Sequence, residues 1–560
     1  MTPKLFLKNQ LTIDIVLIIL GAYFIVCAVV PERMDSDIIV PSISALNNPT
    51  LFYWGQDRLL ALTTFILIPI RDIQLSLFLN TFLQATYFCG LTLLITKYTP
   101  GKYLSKSLGY CLSLLVFYWL IPQAELFTFA KHQQPYSAAT LAALLSFRAF
   151  KSNQHIIQKK SNSNLLAATF LSSISLLLNP LSLVLLITQP VSAWAVNHKN
   201  NRLHSKINFL SMKNWLFSLA IAISSYLIIK NVYTQNYDVN STNLELSLSL
   251  MPNALESVSE GFWSSINENI LTLTILIASI LACIARLVIM LLKNKGSGSK
   301  ATNPKKQLLD HNFLFLAVTF NLIALAPILS SRWLELSAYD LRYMYPVYLL
   351  FFSGITLTLC YLINKLLSKG PSTTFLLRTL LSSIIAAFFI ASLRPLPALT
   401  SYKEISAIVP SYNTISTNSY NNLLVTGSYW KTWPLKAYAL KHGQNLPVLT
   451  ERSTFDPISK QASKELKSKI KNRLSFSFLC IAEGDDRSLC RQQFLNQVFE
   501  EPGLKPQELS AREGWLLDRE LLAVYYAEDS TRISLIKFNF KPSSGIPNAM
   551  HSSTPHQTSS

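Results

Sequence analysis

The chain has 560 residues, half of them apolar and only 14% charged, and its 49 Lys and Arg against 30 Asp and Glu give a formal charge of +19. A soluble protein averages about 25% charged residues, so an ordinary soluble fold is excluded for most of the chain. The Lys and Arg of the first 393 residues sit mainly in short breaks between apolar runs, with no interleaved aromatic motif. That pattern points to membrane lipids as partners and argues against nucleic acid.

In chain order, the first apolar run, 11–30, follows Lys4 and Lys8 and leads directly into Pro31-Glu32-Arg33 with no small-residue cleavage site. A spanning helix needs roughly 20 apolar residues, so this run reads as a retained first membrane helix. Further runs follow at 74–96, 107–121, 136–150, 164–179, 181–196, 214–230, 269–292, 311–330, 345–367 and 375–393. Together they predict a polytopic helical membrane domain, 1–393, of about eleven helices. The pair 164–179 and 181–196 counts as two helices only if Asn179-Pro180 turns between them. The stretch Leu59 to Ile70, bounded by Arg58 and by Arg71-Asp72, is too short to span and reads as interfacial or re-entrant.

Positive charge sets the orientation. With the N-terminus inside and 59–70 not spanning, the clusters at Lys97–Lys106, Arg148–Lys160, Lys199–Lys213, Lys293–Lys306 and Lys365–Lys369 all fall inside. The outer face then carries the segments 31–73, 122–135, 231–268 and 331–344, and the C-terminal region. Asp14, Arg286 and Arg378 lie toward inner ends of their runs, where they can reach headgroups.

From 394 the composition becomes that of a soluble domain. Strand-like segments at 423–425, 448–449, 476–481, 521–526 and 533–540 alternate with helical ones at 433–442, 459–474 and 488–500, which predicts a small external α/β domain over 394–542. The Ser-, Thr-, Pro- and His-rich end, 543–560, has too little apolar content to build a core. Cys27, Cys89, Cys111, Cys283 and Cys360 lie in apolar runs; Cys480 and Cys490 lie in the soluble part, where a disulfide between them would require an oxidising compartment.

Polar chemistry collects on the outer face. The first outer loop opens Pro31-Glu32-Arg33-Met34-Asp35-Ser36-Asp37 and continues to Phe52-Tyr53-Trp54-Gly55-Gln56-Asp57-Arg58. Two carboxylates one residue apart can hold a divalent cation, or one can act as a general base; the bland reading is a solvated acidic turn. Later comes Asp340-Leu341-Arg342-Tyr343-Met344-Tyr345-Pro346.

In these features the chain resembles the polytopic glycosyltransferases of the GT-C fold, which use polyprenyl-phosphate sugar donors. The resemblance implies a catalytic acidic motif just beyond the first helix, here Asp35 or Asp37, with Mg²⁺ or Mn²⁺ as a possible cofactor held by both. It implies an inverting transfer from a polyprenyl-phosphate-linked sugar to an envelope acceptor that the sequence does not name. It also implies phosphate-holding cations in a later outer loop near an Arg-Tyr-x-x-Pro run, here Arg342 with Tyr343, with Arg332 nearby. Arg has a planar fork that matches phosphate oxygens; the bland reading of Arg332 is an interfacial side chain reaching for headgroups. His132, within Lys131-His132-Gln133-Gln134-Pro135-Tyr136, and Arg58 are further substrate contacts, against local pairing of Arg58 with Asp57. The implied location is a bacterial inner membrane with the C-terminal domain outside.

Other classes compete. A transporter or flippase of a lipid-linked glycan predicts a polar cavity at mid-membrane and an internal repeat, and no repeat is evident. A scaffold that merely anchors the soluble domain would not need so many helices. No phosphate-binding loop, dinucleotide fingerprint, zinc-protease motif or nucleophile elbow occurs. In the soluble part, Thr426-Gly427-Ser428-Tyr429-Trp430-Lys431-Thr432-Trp433-Pro434 offers aromatics for a sugar ring or, more simply, for a core.

Overall fold

The computed structural model describes residues 3–29, 34, 36–47, 49, 60–97, 106–121, 123–131, 135–153, 161–189, 205–236, 246–267, short pieces between 273 and 288, 325–336, 339, 341–367, 371–392, 398–417, 424–450, 456–472, 474–483, 515–526 and 532–542. The chain divides into two compact units: Met1–Pro31, Thr50–Leu67 and Phe78–Leu396 form the first; Glu32–Pro49, Ile68–Leu77 and Pro397–Ser560 form the second. The first outer loop is thus shared between them.

The first unit is helical. Its described helices include α1 (Pro3–Ala28), α3 (Leu62–Leu67), most of α4 (Ile73–Thr96), α5 (Lys106–Leu120), α6 (Gln123–Ala130), α7 (Tyr136–Asn153), α8 (Ser161–Leu178), α9 (182–189), α10 (Ser205–Asn236), α11 (Met251–Asn267), α12 (Tyr345–Leu367) and α13 (Pro371–Ser392). Among the described residues, Leu11–Ala28, Ile73–Thr96 and Lys213–Val232 are long and apolar enough to cross a membrane, and Lys106–Leu120, Ser163–Leu178 and Phe351–Leu366 are shorter apolar helices. The expected count of about eleven spans is therefore not reached among the described residues; most of 269–292 and 311–330 lies outside them. The stretch 59–70 yields only the six-residue α3, too short to span.

At Asn179-Pro180 the chain does turn. The Asn179 side-chain oxygen accepts the Leu181 N–H at 3.0 Å and its carbonyl accepts the Ser182 N–H at 3.0 Å, which separates α8 from α9. Small residues let helices approach closely. Ser175 donates to the Ala139 carbonyl at 2.7 Å and Ser146 to the Ala168 carbonyl at 2.8 Å, so α7 and α8 form an antiparallel pair. Gly21 of α1 leaves no room for a side chain, because a Cβ there would strike the Tyr110 hydroxyl of α5.

Two long-range bonds tie α1 to the end of α4 and to the residue after α6. Lys97, directly after α4, pairs with Asp14, midway along α1, at 2.8 Å, and Cys89 of α4 lies beside Gly21 of α1. Lys131, after α6, donates to the Val26 and Val29 carbonyls at the far end of α1, each at 3.1 Å. Helix α4 therefore runs against α1, as the charge rule requires when 59–70 does not span. Asp14 is held by a neighbouring lysine, where a headgroup contact was expected; Arg286 and the Arg378 side chain lie outside the described residues.

The second unit is a mixed five-stranded sheet in the order β2-β1-β3-β5-β4. Its strands are β1 (Leu424–Gly427), β2 (Val448–Thr450), β3 (Phe476–Glu483), β4 (Trp515–Tyr526) and β5 (Arg532–Pro542). β1 pairs in parallel with both β2 and β3, while β5 runs antiparallel between β3 and β4. Helices α14 (Tyr429–Lys441) and α15 (Pro457–Lys471) make the two crossovers. On one face the directly opposed Phe476 and Phe540 stack at 4.7 Å and Phe478 and Phe538 at 4.9 Å, cross-strand pairs that hold the register. α14 begins at Tyr429, four residues before the expected start, and tolerates Pro434 in its second turn. The expected helix 488–500 lies outside the described residues.

The first outer loop adds an element that the sequence pattern did not reveal. Helix α2 (Ser36–Asn47) is buried from Ser36 through Ala45, on all sides, and packs against α14 of the C-terminal domain. Its apolar residues Ile38, Ile39, Val40, Ile43 and Ala45 are buried together with Ser36, Asp37, Ser42 and Ser44, so the helix belongs to the core of this unit.

Candidate functional site

Each unit carries one cluster built from segments that the charge pattern expects on the outer face. In the second unit, the start of α2 is bound at three successive described positions. The Met34 N–H donates to the Glu404 carboxylate at 2.9 Å. The Ser36 hydroxyl donates to the Tyr429 carbonyl at 2.9 Å. The Tyr429 hydroxyl donates to Asp37 at 3.1 Å. Asp37 is 4% exposed and sits in the first turn of α2, where the helix dipole favours an anion.

The Tyr429 side is rigid. Tyr429 opens α14 directly after Gly427 and Ser428, and its ring meets Trp430 and Trp433 edge-on at 5.2 and 6.4 Å. Trp433 is fully buried, Tyr429 is buried and only Trp430 is exposed, so most of this aromatic run serves the core. Gly427 has φ +155°, and a Cβ there would lie 2.7 Å from the Ile481 carbonyl oxygen of β3. β1 and β3 therefore approach closely only because position 427 is glycine.

In the first unit, three outer segments meet at the end of α1 that Lys131 marks. Lys131 is 3% exposed and binds the Val26 and Val29 carbonyls. The last carbonyls of a helix lack partners within it, and a cation there is favoured by the dipole. Burial lowers the Lys131 ammonium to about 8, with Cys27 acting in the opposite direction. The turn Leu341–Met344, which carries the backbone of Arg342 and Tyr343, packs against α6 and α11. Tyr345 at the start of α12 packs against Tyr136 at the start of α7, with ring centres 4.0 Å apart and the rings tilted by 36°. The Ser247 N–H donates to the Ser330 carbonyl at 2.8 Å, and Leu246 bridges Ser331, which ties segment 231–268 to the start of segment 331–344. Just before the turn, Tyr339 takes a left-handed φ of 56°, a conformation that costs a non-glycine residue about 1–2 kcal/mol.

The expected site residues divide accordingly. Asp37 is buried and bound. Tyr343 is half-buried at the gathered end of the bundle, and Arg332 is exposed at the start of the short helix Arg332–Leu336. Asp35, Arg58, His132 and the side chain of Arg342 lie outside the described residues. Cys480 is buried and disulfide-bonded, and Cys490, the expected partner, lies outside the described residues. Among the described residues no group of three His, Cys, Asp or Glu is placed to hold a metal ion. Asp37 accepts the Tyr429 hydroxyl, and the Glu404 carboxylate accepts the Met34 N–H.

Three groups escaped the sequence reading. Lys131 was seen only as part of a polar run, Tyr429 only as one of several aromatics, and Glu404 not at all. The one local signal was Lys131 itself, a lone cation directly after the apolar Leu126-Phe127-Thr128-Phe129-Ala130.

No protein-family model matches the chain, and no curated protein matches it in sequence. Two solved structures are similar over most of its length. One is ArnT from Cupriavidus metallidurans in the apo state, with 11% identity and a TM-score of 0.42, covering 94% of this chain and 98% of that one. The other is the archaeal oligosaccharyltransferase AglB from Archaeoglobus fulgidus in complex with an inhibitory peptide and a dolichol-phosphate, with 11% identity and a TM-score of 0.36, covering 96% of this chain and 75% of that one. Both TM-scores are below 0.5, and the functional reading rests on this chain's own residues.

Proposed function

We propose that the protein is an inverting membrane glycosyltransferase that moves a sugar from a polyprenyl-phosphate carrier to an envelope acceptor at the outer membrane face. The observation that carries this reading is the anchorage of the acidic segment that follows the first membrane helix. Its N-terminal approach is fixed by Lys131 on the Val26 and Val29 carbonyls, and its far side by Glu404 and Tyr429 on Met34, Ser36 and Asp37. A solvated acidic turn needs no such anchorage. Groups that do chemistry must be held in place to be effective.

In this reading Asp35 is the general base. It removes the proton from the acceptor hydroxyl as the oxygen attacks the anomeric carbon, and the lipid phosphate leaves with the bonding pair from the opposite face. Asp37 supports the loop from within. Arg342 and Arg332 offset the charge that develops on the departing phosphate, and His132, Arg58 and Tyr343 contact the donor. The location is a bacterial inner membrane, with the C-terminal domain outside.

The test uses the full-length protein and a panel of polyprenyl-phosphate-linked pentoses and hexoses. Wild type releases polyprenyl phosphate from at least one of them, and Asp35→Asn lowers that rate by about 100-fold or more. Equal movement of an intact lipid-linked glycan across vesicles by both proteins, without bond cleavage, would establish a flippase instead. Treatment with a chelator reads the cation requirement: loss of transfer restored by Mg²⁺ or Mn²⁺ assigns a metal to Asp35 and Asp37, and undiminished transfer leaves Asp35 acting alone.

A further inference from the structure

The C-terminal domain is joined to the acidic loop by bonds that span most of the chain. Ser36 and Asp37 meet Tyr429 across 393 and 392 residues of sequence, and Met34 meets Glu404 across 370. Both chain neighbours of Asp35 are therefore held by the C-terminal domain. The contact uses two faces of one residue: the Tyr429 carbonyl accepts from Ser36, and its hydroxyl donates to Asp37. All of the partners are buried except Glu404, which is half-buried.

Several features make Tyr429 a firm reference point. It is the first residue of α14, its ring lies against the fully buried Trp433, and the strand before it is locked against β3 at Gly427. Helix α2 is buried over ten consecutive residues and so moves with the domain that buries it. Carboxylate and hydroxyl are matched in kind: the anion is an acceptor only, and the phenol supplies one strong donor.

We infer that Tyr429 is a positioning residue, whose hydroxyl, by binding Asp37, lets the C-terminal domain aim the acidic segment of the first outer loop. This rests on the assignment of Asp35 as the base. It gives the soluble domain a role in the chemistry that an acceptor-binding appendage would not have. It also separates the two carboxylates: Asp35 reacts, and Asp37 sets where Asp35 stands.

The experiment measures hydrogen exchange over residues 34–47 and transfer kinetics in the full-length protein. Tyr429→Phe keeps the ring and deletes only the donor. It is expected to speed exchange in the first turn of α2 and to lower kcat by about 10- to 100-fold while the donor KM changes by no more than about twofold. Asp37→Ala should give at least the same loss, and adding Tyr429→Phe to it no further loss, because the bond between the two side chains is already gone. Asp37→Asn, whose amide oxygen still accepts the hydroxyl, should recover most of the activity that Asp37→Ala loses. Unchanged exchange in Tyr429→Phe, or additive losses, overturns the inference. So does an Asp37→Asn variant as inactive as Asp35→Asn, which would make Asp37 a reacting group. The exchange result needs no substrate, so it judges the anchorage even if full activity in Asp35→Asn removes the glycosyltransferase reading.

Discussion

The two anchorages of the acidic segment use opposite chemistry. At the end of α1, a buried ammonium serves two backbone carbonyls. At the start of α2, a buried carboxylate is served by a neutral phenol. The first anchorage secures a helix end to its own bundle, and any well-placed cation would complement the carbonyls. The second ties a loop to a part of its own unit that is far away in sequence, through particular residues. The comparison separates a structural anchor, where deletion costs stability, from a positioning anchor, where deletion costs rate.

The largest stability effect is expected at the first anchorage. Lys131→Met leaves the Val26 and Val29 carbonyls buried without their donor, which costs about 1–3 kcal/mol. Thermal unfolding in nanodiscs should show a clear drop in midpoint, and an unchanged midpoint would mean that water reaches those carbonyls. Gly427→Ala comes next. Its Cβ would meet the Ile481 carbonyl at 2.7 Å in a conformation that side chains avoid, a cost of about 1–3 kcal/mol that should fall on the C-terminal domain alone. Smallest is Glu404→Gln. The amide oxygen can still accept the Met34 N–H, so loss of the charge should cost about 0.5–1.5 kcal/mol and speed exchange at Met34 without unfolding the domain.

Titration sharpens the same contrast, because each unit buries one lysine. Burial lowers both Lys131 and Lys436 to about 8. Their unfolded value is about 10.4. Between these values the unfolded chain holds a proton that the folded chain has released, so both contributions to stability rise as pH increases from about 8 to about 10. Lys436 differs in its surroundings. It donates to Asn445 at 2.8 Å and to the Leu446 carbonyl at 2.6 Å, and it feels Asp456, which burial raises to about 6 despite the opposing Ser459 hydrogen bonds and Lys436. An unfolded Asp titrates near 4, so the folded domain holds that proton longer, and stability from Asp456 falls as pH rises from about 4 to about 6. Asparagine mimics the protonated carboxyl, so unfolding curves of wild type and Asp456→Asn should agree near pH 4 and separate toward pH 6, where wild type becomes the less stable; parallel curves would show that Asp456 reaches solvent.

Much of the architecture was legible because its causes are local. Apolar runs of helical length located α1, α4, α5, α7, α8, α10, α12 and α13, and the short run at 59–70 gave no spanning helix. Positive charge in the breaks predicted that α4 runs against α1, and the Asp14–Lys97 pair agrees. Alternating apolar residues located all five strands to within a few residues at most ends, although β4 begins at Trp515, six residues before the expected Leu521. The start of α14 and the whole of α2 were missed. For α2, a twelve-residue segment in which Ser36, Asp37, Ser42, Ser44 and Asn47 interrupt the apolar residues and Pro41 sits inside gives no run long enough, and no clean period, to read as a helix.

Run length, period and charge within a short window were enough to read a membrane chain, the places of most helices, the direction of α4 against α1 and an α/β fold for the C-terminal part. The tertiary structure alone decided that the acidic loop belongs with the C-terminal unit, that Tyr429 holds Asp37 and that Lys131 closes the end of α1. Those pairings join side chains more than 100 residues apart. A hydrogen bond between distant residues leaves no periodic trace in either segment, because donor and acceptor are chosen by the fold that brings them together.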